Sequence, residues 1–248
     1  MSWTRRDKDG VDFTTFLAVV ADPFTPDLDA EHDAFTWVPL AVAIKCQSLH
    51  PGVPVALMRF SMDELDIGVA IRSGELTSPQ HYANLMLIAI RITGTGKSER
   101  PNLKEHVWRD PAYYLNDHFV NRCNGLPVIW QHQKTGEPLD GEELSKRIVG
   151  TIFLPYIKNQ DVWGIAKIYD EQTAKALTTE VLSTSPFVVV GAEGESFALP
   201  DGKHLLIEGH PDVLDSVAIV PLGVWDKSGS AQGIDSQPVI DVADAKLD

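Results

Sequence analysis

Cysteine is almost missing from this chain. Cys46 and Cys123 are the only two in 248 residues, and neither falls in a C-x-x-C or zinc-ligand spacing. That excludes a disulfide framework and predicts two buried thiols in a reducing compartment. Positive charge is scarce too: 21 lysines and arginines stand against 35 acidic residues, a formal net charge of −14. Such a surface repels phosphate backbones and anionic headgroups, and no basic stripe interrupts it. Neither nucleic acid nor a membrane is an expected partner. No apolar run reaches the ~20 residues that a membrane-spanning helix needs. Met1–Arg6 lead into charged residues rather than an apolar signal region, so the expected location is a cytoplasm. Metal-ligand spacing is also lacking among the scattered histidines, and Gly94-Thr-Gly96-Lys97-Ser98 lacks the spacing of a phosphate loop. No metal or cofactor is expected.

What the chain does hold is a change of character along its length. Residues 12–21 read as a strand, and the Asp- and Pro-rich stretch 22–34 reads as a loop. Ser61-Met-Asp-Glu64 is a capping box for a helix ending at Gly74. Residues 82–93 are apolar enough for a buried strand, with a helix as the alternative. The polar, turn-rich stretch 94–101 then suggests a boundary near residue 100. Asp110-Pro111 opens a helix expected to run to Cys123. Beyond it come short Val-, Ile- and aromatic-rich segments at 126–131, 147–154, 162–169, 181–190, 203–207 and 216–221. One helix is expected among them, at 171–179 and capped by Asp170. Many short strands separated by turns predict an α+β chain whose second part is a sandwich or barrel. From Lys227 hydrophobicity falls, and a flexible tail is expected at 229–248.

Two strings place chemically capable side chains at the ends of such strands: Leu126–His132 and Leu182–Phe187. A serine hydroxyl is too weak to attack alone and needs an imidazole to take its proton, both on a firm frame. His132 ends one apolar run and faces a polar loop. Ser183 and Ser185 stand at the start of another, with Pro186 holding Ser185 extended. A third group should orient the imidazole; His210, Asp212 and Asp215 lie just before the last apolar strand. Singly, each has an ordinary alternative as a surface histidine, a turn serine or a solvated carboxylate.

Together the segments resemble a known family. Asn124–His132, Ile148–Ile152, Trp163–Ile168, Leu182–Pro186 and Leu214–Val220 are similar in order and spacing to the tailed-phage prohead proteases, over roughly residues 105–228. The resemblance implies a herpesvirus-assemblin-like fold, a small and mostly antiparallel β-barrel flanked by helices. It implies a serine endopeptidase that trims phage scaffold and capsid proteins, and often itself, inside the procapsid in the host cytoplasm. A homo-oligomer is a further implication. Carried over by position, His132 is the general base and Ser185 the nucleophile, with Ser183 as its rival. The family's Asp-His before the last strand is here Asp215-Ser216. Three outcomes follow: Asp215 takes the third role, His210 supplies an imidazole, or activity is largely lost. The last would leave a virion structural protein whose barrel binds capsid or portal.

Residues 1–100 carry a partial resemblance of their own. Phe13–Phe16 and Glu31–Pro39 are similar to the C-terminal part of a Nudix domain, but the Nudix box and its metal-binding glutamates are absent. That implies a small α/β remnant without metal-assisted hydrolysis.

Overall fold

The computed structural model describes residues 2–6, 12–16, 24–28, 35–43, 53, 56–57, 61–100, 103–132 and 137–236. The chain divides into two compact units, Met1–Asp63 and Glu64–Asp248. In the first, strands β1 (Ser2–Arg6) and β2 (Asp12–Phe16) form an antiparallel pair, and a short helix α1 spans Leu40–Ala43. Cys46 and, of the Nudix-like segments, Glu31 to Ala34 lie outside the described residues. The boundary expected near residue 100 is not where the units part. The polar stretch that suggested it is a strand paired within the second unit.

That second unit is α+β and mostly sheet. Its larger sheet runs β10 (Ser183–Val190), β13 (Pro211–Val220), β7 (Pro127–Trp130), β8 (Ile148–Lys158), β9 (Asp161–Ile168), β4 (Leu85–Gly94) and β14 (Ile234–Asp235), with β3 (Gln80–Tyr82) also on β4. All neighbours are antiparallel except β13 and β7. A smaller sheet orders β11 (Glu195–Ala198), β12 (His204–Ile207), β6 (Glu105–Arg109) and β5 (Gly96–Arg100). The chain passes from one sheet to the other at Gly94–Gly96. A Cβ on Gly94 would stand 2.7 Å from the Trp225 ring, and Gly96 has φ +74°. These two glycines serve a tight crossing, not a phosphate.

The sheet is not a closed barrel. The large sheet curls until β10 approaches β4, but no ladder joins them. Thr184 Oγ1 instead donates to the Arg91 carbonyl 2.5 Å away, and Gly233 bridges the seam. Its carbonyl accepts from Arg91 N at 2.7 Å, while its own N–H donates to Ser183 Oγ at 2.9 Å. The segment expected to be a tail from 229 is therefore built into the fold as far as Asp235. Its polar composition hid backbone groups that close the seam.

The period-2 pattern of the strands explains the core. Met86, Ile88, Ile90 and Ile92 of β4 meet Val128, Ile152, Val162, Ala166, Ile168, Val217 and Ile219 in one buried cluster. Each such aliphatic side chain stabilises by about 1.5–3 kcal/mol when fully buried. Short helices stop one end of the cluster: α3 (Pro111–Tyr114) and α4 (Asp117–Arg122) supply Tyr114 and Phe119, and α6 (Glu171–Thr179) supplies Leu177. Cys123 is buried among them, and burial pushes its thiol up to about 12, so it is held protonated. Helix α2 (Glu64–Ser73) packs on β4 and β9, and a Cβ on its Gly68 would fall 2.8 Å from the Phe153 ring.

Two helices differ from expectation. The single helix predicted from Asp110 to Cys123 breaks after Tyr114, because Asn116 leaves the helical conformation and accepts from Phe119 N at 2.9 Å. Helix α5 (Gly141–Arg147) was not anticipated at all. Its signals were the Asp140 cap and the i,i+4 pairs Glu142–Lys146 and Glu143–Arg147.

Candidate functional site

Strand register places the candidate serines. Ser185 is opposite Ala218 of β13, which is opposite Ile129 of β7. The next row is Thr184, Ile219 and Trp130, and Ile219 faces the main core with Trp130 packed against it. Ser185 therefore projects from the face of the sheet opposite that core, as does Ser183 two residues earlier. Their surroundings differ sharply. Ser183 is fully buried; its hydroxyl donates to Asp226 Oδ1 at 2.9 Å and accepts from Gly233 N at 2.9 Å. Ser185 is half-buried, and none of the described residues hydrogen-bonds its hydroxyl. Of the two, Ser185 is the one a substrate could reach.

His132 follows the end of β7. Gln131 continues the ladder, donating its N–H to the Ile219 carbonyl at 3.1 Å, and then turns the chain with φ +60°. The His132 carbonyl accepts from Arg147 Nη1 at 3.4 Å at the foot of α5. Burial holds its imidazole below the ordinary histidine range, which favours the neutral, proton-accepting form at pH 7. No hydrogen bond joins His132 to either serine among the described residues. One strand, β13, separates β7 from β10, so the two backbones are about 10 Å apart. In the Ser185 row the β7 residue is Ile129, so His132 is also offset by three residues along its strand.

Asp215 makes no hydrogen bond or ion pair with an imidazole among the described residues. It is the extra residue of a β-bulge, because Phe187 pairs with Ser216 and Val188 with Leu214. One oxygen accepts from Leu139 N at 2.9 Å and the other from the Ser216 hydroxyl at 2.9 Å. It thereby anchors the loop that leads into α5. His210 lies 3.6 Å from the Asp212 carboxylate and stacks edge-on against Tyr113. The structure thus brings none of the five candidates into hydrogen-bond contact with another: Ser183, Ser185, His132, Asp215 and His210 each have separate environments.

Two buried polar clusters were not foreseen. Asp226, with no exposed side-chain area, pairs with Arg91 and also accepts from Ser183 Oγ, Gln232 N and Gly223 N. Glu208 holds Arg109 and Arg100. The Arg109 guanidinium lies 4.8 Å from both the Tyr114 and Trp225 ring centroids. Its Nη1 donates to Thr93 Oγ1. A signal for the first cluster was available, since Arg91 is the lone charge in an otherwise apolar strand and must find a partner. Nothing in the local pattern singled out Asp226. No group of three or more potential metal ligands is present among the described residues.

Comparison with known proteins finds no match: no family profile, no curated protein and no solved structure resembles the chain significantly.

Proposed function

We propose that this chain is a serine endopeptidase of phage capsid maturation, with Ser185 as nucleophile and His132 as general base. The state of Ser185 carries the reading. It is a half-buried hydroxyl on a paired strand, unengaged by any described residue, beside a proline that fixes its backbone. Further support comes from the resemblance of residues 105–228 to the prohead proteases and from the curled, mostly antiparallel sheet with its flanking helices. On this reading that sheet is an assemblin-like barrel left open at one seam. In the reaction, His132 takes the Ser185 proton as Oγ bonds to the peptide carbonyl carbon, and returns it to the departing amine. Water, activated by the same imidazole, then releases the acyl group. The substrates are scaffold and capsid proteins inside the procapsid, and the enzyme itself.

A second reading is favoured by a different observation. Both oxygens of Asp215 already accept hydrogen bonds, from Leu139 N and Ser216, and among the described residues no carboxylate or second imidazole bonds to His132. On that reading the chain is a virion structural protein that uses the same sheet to bind capsid or portal.

Incubation with scaffold and capsid protein, read by gel and mass spectrometry, separates the two. Under the protease reading wild type cuts, and Ser185→Ala loses at least about 10³-fold in rate. Ser183→Ala still cuts but melts earlier, because the Gly233 N–H loses its acceptor. Absence of cutting by wild type would leave the structural reading. Because burial opposes protonation of His132, the acid limb of kcat/KM should fall at lower pH than an ordinary histidine gives. An acid limb at higher pH than an ordinary histidine gives would remove His132 as the base.

A further inference from the structure

A cleft of about 750 Å³ lies in the second unit, lined in part by the small sheet. Its size is in the range of ligand sites. Four consecutive residues of β5, Lys97 to Arg100, line one side. Alternate residues of a strand face opposite ways, so a wall built from four in a row is the edge of the strand rather than a face. Among the described residues that edge is open: β5 is the terminal strand of its sheet, and β6 is the only strand paired with it. Across the cleft stands the segment 222–229, fastened to the same strand end by Ser98 Oγ to the Val224 carbonyl and Lys227 Nζ to the Thr95 carbonyl.

The charges of the cleft are unevenly satisfied. Its two carboxylates are already taken, Glu99 by Lys203 and Asp226 by Arg91. Arg100 is held by Glu105 and Glu208. Lys97 and Lys227, in contrast, have no salt-bridge partner among the described residues; the Lys227 ammonium rests on a neutral carbonyl. His106 adds a buried Nδ1 that lacks a hydrogen-bond partner among them. Leu103 and Leu222, both more than half exposed, supply apolar surface in the same cleft.

We propose that this cleft binds an extended peptide bearing carboxylates at alternate positions, which adds as a further strand to β5. The peptide backbone bonds to the free edge of the strand, its carboxylates meet Lys97 and Lys227, and its intervening apolar side chains rest on Leu103 and Leu222. Strand addition of this kind takes affinity from main-chain hydrogen bonds and selectivity from the alternating side chains. In a protein of net charge −14, two unpaired lysines at one strand edge select an acidic partner against the prevailing field. The proposal does not depend on serine chemistry, and binding is read without turnover.

The probe is a fluorescein-labelled Asp-Val-Asp-Val-Asp-Val-Asp peptide, titrated with the full-length protein and followed by anisotropy. Saturable binding is expected, weakened at least tenfold by Lys97→Glu with Lys227→Glu. It should weaken as strongly when the peptide is N-methylated at alternate amides, which removes strand donors but leaves charge intact. Hydrogen exchange should slow in 96–100 when the peptide is bound. A thermal melt checks that the double variant is folded. Should it not fold, the N-methylated probe and the exchange map decide the matter with wild-type protein. The proposal is overturned by no binding at millimolar protein, by equal binding of the N-methylated peptide, by equal binding of a Lys-Val analogue, or by exchange protection that spares β5.

Discussion

Replacing Asp226 with alanine is expected to lower the melting temperature of the second unit by about 10 °C. The carboxylate compensates the Arg91 guanidinium at a site with almost no solvent and accepts from Ser183, Gly223 and Gln232 besides. Removing one partner of a buried pair strands the other, a loss of about 3–5 kcal/mol. For a domain of this size each kcal/mol shifts the midpoint by about 2–4 °C. The arrangement around Arg91 makes rescue from elsewhere inadequate: Asp161 approaches only to 3.6 Å, and Arg91 Nε is already without a partner among the described residues. Urea denaturation measures the loss, and a deficit under 1 kcal/mol would mean that Arg91 finds another counter-charge. A second comparison tests the mechanism. Asp226→Leu combined with Arg91→Met should be less destabilised than the sum of the two single variants, since no charge is then left stranded.

Glu208→Ala is expected to do comparable damage by another route. Glu208 faces two guanidiniums, with Arg100 Nη2 at 2.8 Å and Arg109 on its other oxygen. Arg109 is the more demanding, because its side chain is almost wholly buried between Tyr114 and Trp225. Aromatic faces attract a cation but supply at most about 2 kcal/mol when desolvated, which is not enough to replace a carboxylate. About 3–5 kcal/mol of stability should be lost, with a change in near-UV circular dichroism as Trp225 and Tyr114 shift. Glu208→Gln should lose less, because an amide oxygen can still accept from one arginine. Unchanged near-UV dichroism in the alanine variant would show that the rings hold their places without the cation between them.

The strands of the second unit were legible because their chemistry is local. Segments 126–131, 162–169 and 203–207 alternate or run apolar between turns; β7 and β12 fall within the first and last, and β9 is offset by one residue from the second. The helix after Asp170 announced itself by its cap, and the Asp170 carboxylate does accept from Thr173 N at 2.7 Å. What escaped the sequence is what depends on partners far along the chain. Asn116 reads as one more helical residue until its side chain is seen capping a second helix. Gly233 reads as linker until its backbone is seen meeting Ser183 and Arg91, residues 50 and more positions away. The candidate site shows the same division. Position and exposure of Ser185 follow from the strand it sits on, whereas the occupation of Ser183 and Asp215 follows from Asp226 and Leu139, which no spacing rule connects to them.

The seam between β4 and β10 has a consequence for how the protein comes into being. Its fastening residues are Thr184, Gly233 and Ile234, and the last two emerge from the ribosome after every other described strand of the sheet. A nascent chain therefore carries its strands as an unfinished sheet with an open edge, and open edges pair with other chains. Completion waits for Gly233 to Asp235, so the seam closes only after these residues have been made. Truncation before Gly233 should yield a chain that makes its strands yet collects in aggregates, for want of a clasp some three residues long.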